Sequence, residues 1–221
     1  MTERVVVVGA GGFGREALDV IEALIDAGKP IQALGVLDAA PRDADLDQLA
    51  ARQIAYLGTE AEWLSSAVGD ELYVVAVGAP AVRRRVVARF SDAGMCAATL
   101  IHPAAVIGSQ ARIGDGVVIA SGVQVSTNVT IGDHVHLNPA SVIGHDVTLS
   151  DFVSVNPGAI VSGNVTVARG VLLGAGSVVL QGLTVGAGAT VGAAACVTKN
   201  VETGATVVGV PAHAQGTGRQ P

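Results

Sequence analysis

From residue 107 onward a branched aliphatic side chain returns at every sixth position. Ile107, Ile113, Ile119, Val125, Ile131, Leu137, Ile143, Leu149, Val155, Val161, Val167, Leu173, Val179, Val185, Val191 and Val197 form an unbroken run of sixteen. Two positions earlier the residues are small or apolar as well, among them Val117, Val123, Val129, Val135, Val147, Val153, Val165 and Val171. The residue after each aliphatic is mostly Gly, Ser, Ala or Asn, which suits a tight turn. So regular a hexad predicts a parallel β-helix built from short identical rungs. Three rungs close one triangular coil of eighteen residues, enough for roughly five coils over the run.

The first hundred residues follow a different rhythm. Residues 4–8 (RVVVV) read as a buried strand, followed by Gly9-Ala10-Gly11-Gly12-Phe13-Gly14 and a helical run that Gly28 stops. IQALGVLD predicts a second strand ending in Asp38. A polar loop, a short strand near Ile54, a helix over Glu60–Ala67, a strand at 72–78, a helix at 80–92 and a strand near Ala97–Ile101 follow. Strands alternating with helices predict a small Rossmann-like parallel α/β unit. His102-Pro103 marks the junction, because a residue before proline leaves helical space and the hexads begin at once. The expected organisation is therefore an α/β domain over 1–101 followed by a β-helix over 102–221.

Composition narrows the function classes. Half of the 221 residues are hydrophobic but only 3% are aromatic, which suits narrow cores of stacked aliphatics with turns drawn from 29 glycines. A formal charge of −6, with no basic cluster beyond Arg83, Arg84 and Arg85, argues against a nucleic-acid partner. Those three arginines read as the solvated face of a helix. No long apolar run suggests a membrane span, and a strand starting at Arg4 leaves no signal peptide before the fold. Cys96 and Cys196 offer neither a disulfide framework nor metal spacing. The chain reads as a soluble cytoplasmic protein.

Gly9, Gly11 and Gly14 satisfy G-x-G-x-x-G in a strand-turn-helix setting. Glycines there let backbone N–H groups approach an anion at a helix N-terminus, and Asp38 could accept from a ribose or base. About 100 residues leave no room for the second half of a dinucleotide site. A phosphate-bearing nucleotide sugar is favoured over a dinucleotide, with a merely structural tight turn as the third reading.

Of the five histidines, His102 stands at the junction and His213 in the tail. His134 and His136 alternate, which aims them at opposite faces and leaves no converging zinc site with His145. No metal is expected. His145 differs, lying in Ile143-Gly144-His145-Asp146-Val147, two residues past a rung aliphatic, where the chain turns a corner. A corner side chain points out of the core, and Asp146 can orient the imidazole to accept a proton. That pair reads as a general base and its support.

The stretches GAGGFGREALDVIEA, LIHPAAVIG, LNPASVIGHDVTLSDFVSVNPGAIVSGNV and VGVPA (208–212) together resemble the sugar O-acyltransferase family. That family of hexapeptide-repeat acyltransferases includes sialic-acid O-acetyltransferases and nucleotide-linked 4-amino-sugar N-acetyltransferases, and the resemblance covers nearly the whole chain. It implies a left-handed β-helix, a homotrimer with active sites between subunits, acetyl-CoA as donor and a place in polysaccharide biosynthesis. It also implies His145 as base with Asp146 in support, and sugar-nucleotide contacts at Gly11, Gly12, Phe13, Asp38 and Gly78. Acetyl-CoA contacts are implied at Ser154, Gly163, Ala175 and Ala193. The chain departs from the family pattern at Phe13 and Ser154, where some relatives carry histidine, and at Ala39, where many carry a second acid. The favoured expectation is N-acetylation of a nucleotide-linked amino sugar, with O-acetylation of sialic acid and a non-catalytic binding solenoid as rivals.

Overall fold

The computed structural model describes residues 2–66 and 69–215. The chain divides between Pro103 and Ala104 into two units. In the first, β1 (Glu3–Val8), β2 (Ile31–Leu37), β3 (Leu72–Val75) and β4 (Cys96–Ala97) form one parallel sheet in the order β2-β1-β3-β4. The four valines of β1 are fully buried, as a central strand of a parallel sheet requires. Helix α1 (Gly12–Asp26) buries Gly14, Ala17, Leu18 and Ile21, one stripe at helical spacing. Helices α2 (Asp43–Ala51), α3 (Glu60–Leu64) and α4 (Pro80–Asp92) complete the unit. Pro80 opens α4 at its first turn. Thr59 and Glu62 cap α3 reciprocally, each side chain bonded to the other's backbone N–H.

Three expectations are corrected here. The polar stretch after Asp38 contains α2, anchored by Leu49 and by a buried aspartate, Asp45, which pairs with Arg15 and Arg42. Ionic anchoring hid this helix from a hydrophobic periodicity. Near Ile54 there is no strand, only a single bridge of Tyr56 to Val36. The segment near Ala97–Ile101 forms two strands, Cys96–Ala97 and Leu100–Ile101. The expected end of the third helix at Ala67 lies outside the described residues.

The second unit is a parallel β-solenoid. Sixteen two-residue strands run from Val106–Ile107 to Cys196–Val197, and each pairs in parallel with the strand eighteen residues away, as Thr130 does with Thr148. One face stacks the strands at 106, 124, 142, 160, 178 and 196, and the next those at 112, 130, 148, 166 and 184. The third carries those at 118, 136, 154, 172 and 190. All sixteen hexad aliphatics are the inward residues of these strands; the first two are half-buried and the rest buried. Asn138 and Asn156 stack one coil apart inside a corner, with Asn138 Nδ2 donating to Asn156 Oδ1 at 3.2 Å.

Each corner from Gln110 to Ala194 passes through the left-handed region three residues after its aliphatic. Gly holds that place at 116, 122, 158 and 170, and Asn128, Asp146 and Asn164 hold it with φ between 57° and 60°. Asn and Asp tolerate this conformation better than other side chains. The residue right after the aliphatic is small for another reason. A Cβ on Gly144 would lie 2.6 Å from the backbone N of Gly163 in the next coil. The last segment departs from the eighteen-residue step: Thr206–Val208 pairs with Thr190–Val191, and Val201 bridges to Val185. Beyond them Gly209 and Ala212 bond the backbone of Cys196, and His213–Ala214 runs antiparallel to Val207–Val208.

Candidate active site

The corner at residues 144–147 presents His145 and Asp146, both about half exposed. His145 Nδ1 stands 2.7 Å from Asp146 Oδ2. The other carboxylate oxygen accepts from Asn128 Nδ2, one coil below, at 3.2 Å. The hydrogen bond from His145, with that of Asn128 adding to it, holds the Asp146 carboxyl below its ordinary value. An ionised Asp146 only accepts, so in the neutral imidazole Nδ1 carries the proton and Nε2 keeps its lone pair. The ring lies over Gly163, the residue one coil above: a Cβ there would sit 2.6 Å from both Cε1 and Nε2. Beside it is an open groove of about 340 Å³ lined by Gln124, Val125, Ser126, Val142, Ile143, Gly144 and His145.

The other expected donor contacts occupy different parts of the coil. Gly163 shares the corner of His145. Ala175 and Ala193 are exposed and lie one coil apart, but on the corner after the third face. There the Ala175 carbonyl already accepts from Ala194 N at 2.8 Å. Ser154 lies on the third face itself and is only 1% exposed. A single chain therefore does not bring these four residues together. His134 and His136 are both buried, His134 in the left-handed region and stacked on Phe152 with ring centroids 5.2 Å apart. Among the described residues no group of three or more His, Cys, Asp or Glu side chains converges as a metal site.

In the first unit, the glycine-rich turn, Asp38 and Gly78 all follow the carboxyl ends of β1, β2 and β3. The strand order reverses around β1, and ligands of open α/β sheets bind at such a switch point. Gly11 caps α1 with open space around it, Gly12 is exposed and Phe13 half-buried. Gly14 faces the opposite constraint, since a Cβ would lie 1.8 Å from the Gly9 carbonyl oxygen. Asp38 is part of the turn's own scaffold: Oδ2 accepts from Ala10 N at 2.8 Å and Oδ1 from Ala40 N at 2.9 Å. Each oxygen retains a further lone pair for a ligand.

Sequence reasoning missed two supporting residues. Arg83 is fully buried, not solvated like its neighbours Arg84 and Arg85. Its Nη1 donates to the carbonyls of Val77 and Gly78 at 2.8 and 3.2 Å, bracing the loop after β3. Burial pulls its guanidinium down to about 9, so it stays charged at neutral pH. Asn128 was the second, and its signal was present: it stands eighteen residues, one coil, before Asp146.

The PglD N-terminal domain matches residues 4–90. No curated protein matches the chain in sequence. Among solved structures, PerB from Caulobacter crescentus in complex with CoA and GDP-perosamine is 27% identical, with a TM-score of 0.83 over 98% of this chain and 99% of that one. The acetyltransferase domain of PglB from Neisseria gonorrhoeae, in complex with acetyl coenzyme A, is 29% identical, with a TM-score of 0.82 over 97% of this chain and 100% of that one. WeeI from Acinetobacter baumannii is 25% identical, with a TM-score of 0.83 over 97% of this chain and 100% of that one. No helix among the described residues is long and apolar enough to cross a membrane. With the PglD N-terminal domain at its start and a hexapeptide-repeat solenoid after it, the chain resembles the nucleotide-amino-sugar N-acetyltransferases over nearly its whole length.

Proposed function

We propose that this protein is a cytoplasmic acetyl-CoA-dependent N-acetyltransferase acting on a nucleotide-linked amino sugar, of the 4-amino-deoxy type. The observation that carries the reading is the exposed His145–Asp146 pair, with Nδ1 tied to the carboxylate and the residue lining an open groove. The complexes of PerB with CoA and GDP-perosamine and of the PglB domain with acetyl coenzyme A supply the two substrate classes. The sugar amine attacks the thioester carbonyl while His145 Nε2 takes the proton from its nitrogen. The tetrahedral oxyanion is stabilised by a backbone N–H of a coil corner. Its collapse breaks the C–S bond, and the imidazolium returns the proton to the departing thiolate of CoA. The turn at Gly11, Gly12 and Phe13, with Asp38 and Gly78, holds the nucleotide.

The working unit in this reading is a homotrimer. His145 and the pair Ala175 and Ala193 lie on different corners of the solenoid, so a donor that spans both would draw on two chains. The first face also presents Val142 and Ile160 outward in neighbouring coils, at 36% and 40% exposure, beside the groove of His145. A second copy would cover them.

Thiol release from acetyl-CoA tests the function directly, with UDP-, GDP- and dTDP-linked amino sugars against sialic acid as acceptors. Turnover with an amino sugar supports the proposal, and turnover with sialic acid alone replaces it with O-acetylation. Absence of turnover with every acceptor favours a binding solenoid. Light scattering of a monomer with full activity would rule out the shared site.

A further inference from the structure

We propose that the coils on either side of His145 set its imidazole, with Gly163 above leaving the space for the ring and Asn128 below fixing the carboxylate that aligns it. This inference rests on the general-base reading and assigns both residues as positioning residues. The corner position of His145 recurs every eighteen residues as Ser109, Thr127, His145, Gly163 and Gln181, and only Gly163 in this column lacks a side chain. Nothing in the backbone demands glycine there. Its φ is not in the left-handed region, where Gly116, Gly122, Gly158 and Gly170 lie. Other corner glycines are confined by backbone, as Gly108 is by Ser126 and Thr127 and Gly144 by Ser162 and Gly163. At Gly163 the three nearest atoms to an added Cβ all belong to the His145 ring: Cε1 and Nε2 at 2.6 Å and Cδ2 at 3.1 Å. The nearest neighbours of the missing side chain are thus all atoms of the imidazole.

Below the base, Asn128 fixes the second oxygen of Asp146, so the carboxylate cannot rotate freely away from Nδ1. Asn128 has φ 59°, a conformation that glycine adopts without strain. Asn128→Gly therefore deletes the amide and leaves the turn. Gly163→Ala drives the exposed ring off its seat, because the ring moves more easily than the coil. Misplacement of a reacting group by about 1 Å lowers turnover by about 10²-fold.

The test is kinetic and spectroscopic, on the full chain. Gly163→Ala should lower kcat by one to two orders of magnitude, with the thermal midpoint little changed. In a His145→Ala background the same substitution should cause no further loss. Asn128→Gly should lower kcat less, and again only while His145 is present. Nitrogen-15 spectra of the labelled imidazole should show the Nδ1-protonated tautomer in the wild type and a changed ring environment in both variants. An unaltered kcat and spectrum in Gly163→Ala would overturn the proposal. So would a loss that persists without His145. If the wild type acetylates nothing, the function fails, while the spectra still decide whether Gly163 and Asn128 seat the ring.

Discussion

The glycines of the first turn separate a folding constraint from a binding one. In Gly14→Ala the new methyl would sit 1.8 Å from the Gly9 carbonyl oxygen, backbone against backbone. Relaxed contact needs roughly 3.5 Å, so α1 must back away from β1 by well over 1 Å. Helix α1 buries Leu18, Val20 and Ile21, and that shift loosens all three. Overpacking of this kind costs about 3 kcal/mol, and alanine returns about 1 kcal/mol of helix propensity over glycine. The net loss is about 2 kcal/mol, a fall of about 10 °C in the midpoint of a unit of this size. Gly11→Ala is the counterpart. Its φ of −66° suits any residue and nothing lies within 4 Å of the added carbon, so stability should stay within about 0.5 kcal/mol. The acceptor KM should nonetheless rise, since the methyl stands where phosphates would approach the backbone, and acetyl-CoA KM should not. Calorimetry and initial rates on the two variants decide it. An unchanged midpoint in Gly14→Ala, or an unchanged acceptor KM in Gly11→Ala, would refute the reasoning.

Three further outcomes are expected. His145→Ala should lower kcat by roughly 10²–10⁴-fold with the fold intact by circular dichroism, and Asp146→Asn should lower it less; retention of most activity in His145→Ala would move the base elsewhere. Ile143→Asp should unfold or severely destabilise the solenoid, measured by urea denaturation, because the position is 1% exposed and the charge would be unpaired. Asp45 is held well below the carboxylate range by Arg42 and then Arg15. A depressed folded value stabilises above the unfolded one and is lost as pH falls, so the midpoint gap between wild type and Asp45→Asn should be full above about pH 4 and close below it.

The solenoid was legible in the sequence because its core repeats. Every sixth residue must be inward whatever the rest of the coil does, and sixteen aliphatics in step leave little room for another fold. The corner that carries His145 followed from the same count. What escaped reading were contacts that are local in space but distant in sequence. The partnership of Asp146 with Asn128, and of His145 with Gly163, exists only once the eighteen-residue coil brings them together. In the first unit, α2 escaped because an ion pair at Asp45 does the anchoring that an apolar side chain usually does. Arg83 escaped because a charged residue on a helix is ordinarily solvated; the carbonyls of Val77 and Gly78 make the exception. Ser154, Ala175 and Ala193 occupy other parts of the solenoid than His145.

A stack of parallel rungs is also a template: its last rung offers free backbone N–H and C=O groups to any extended strand. Here the final residues cover all three exposed rungs in turn, Val201 on Thr184–Val185, Thr206–Val208 on Thr190–Val191, and Gly209 with Ala212 on Cys196. Without them the terminal coil would present three flat, apolar-cored strand edges with the spacing of a cross-β fibril. A chain cut after Asn200 is therefore expected to elongate end to end into thioflavin-positive fibres, whereas the intact chain stays discrete. The segment after the hexads is the stopper that keeps a self-templating fold finite.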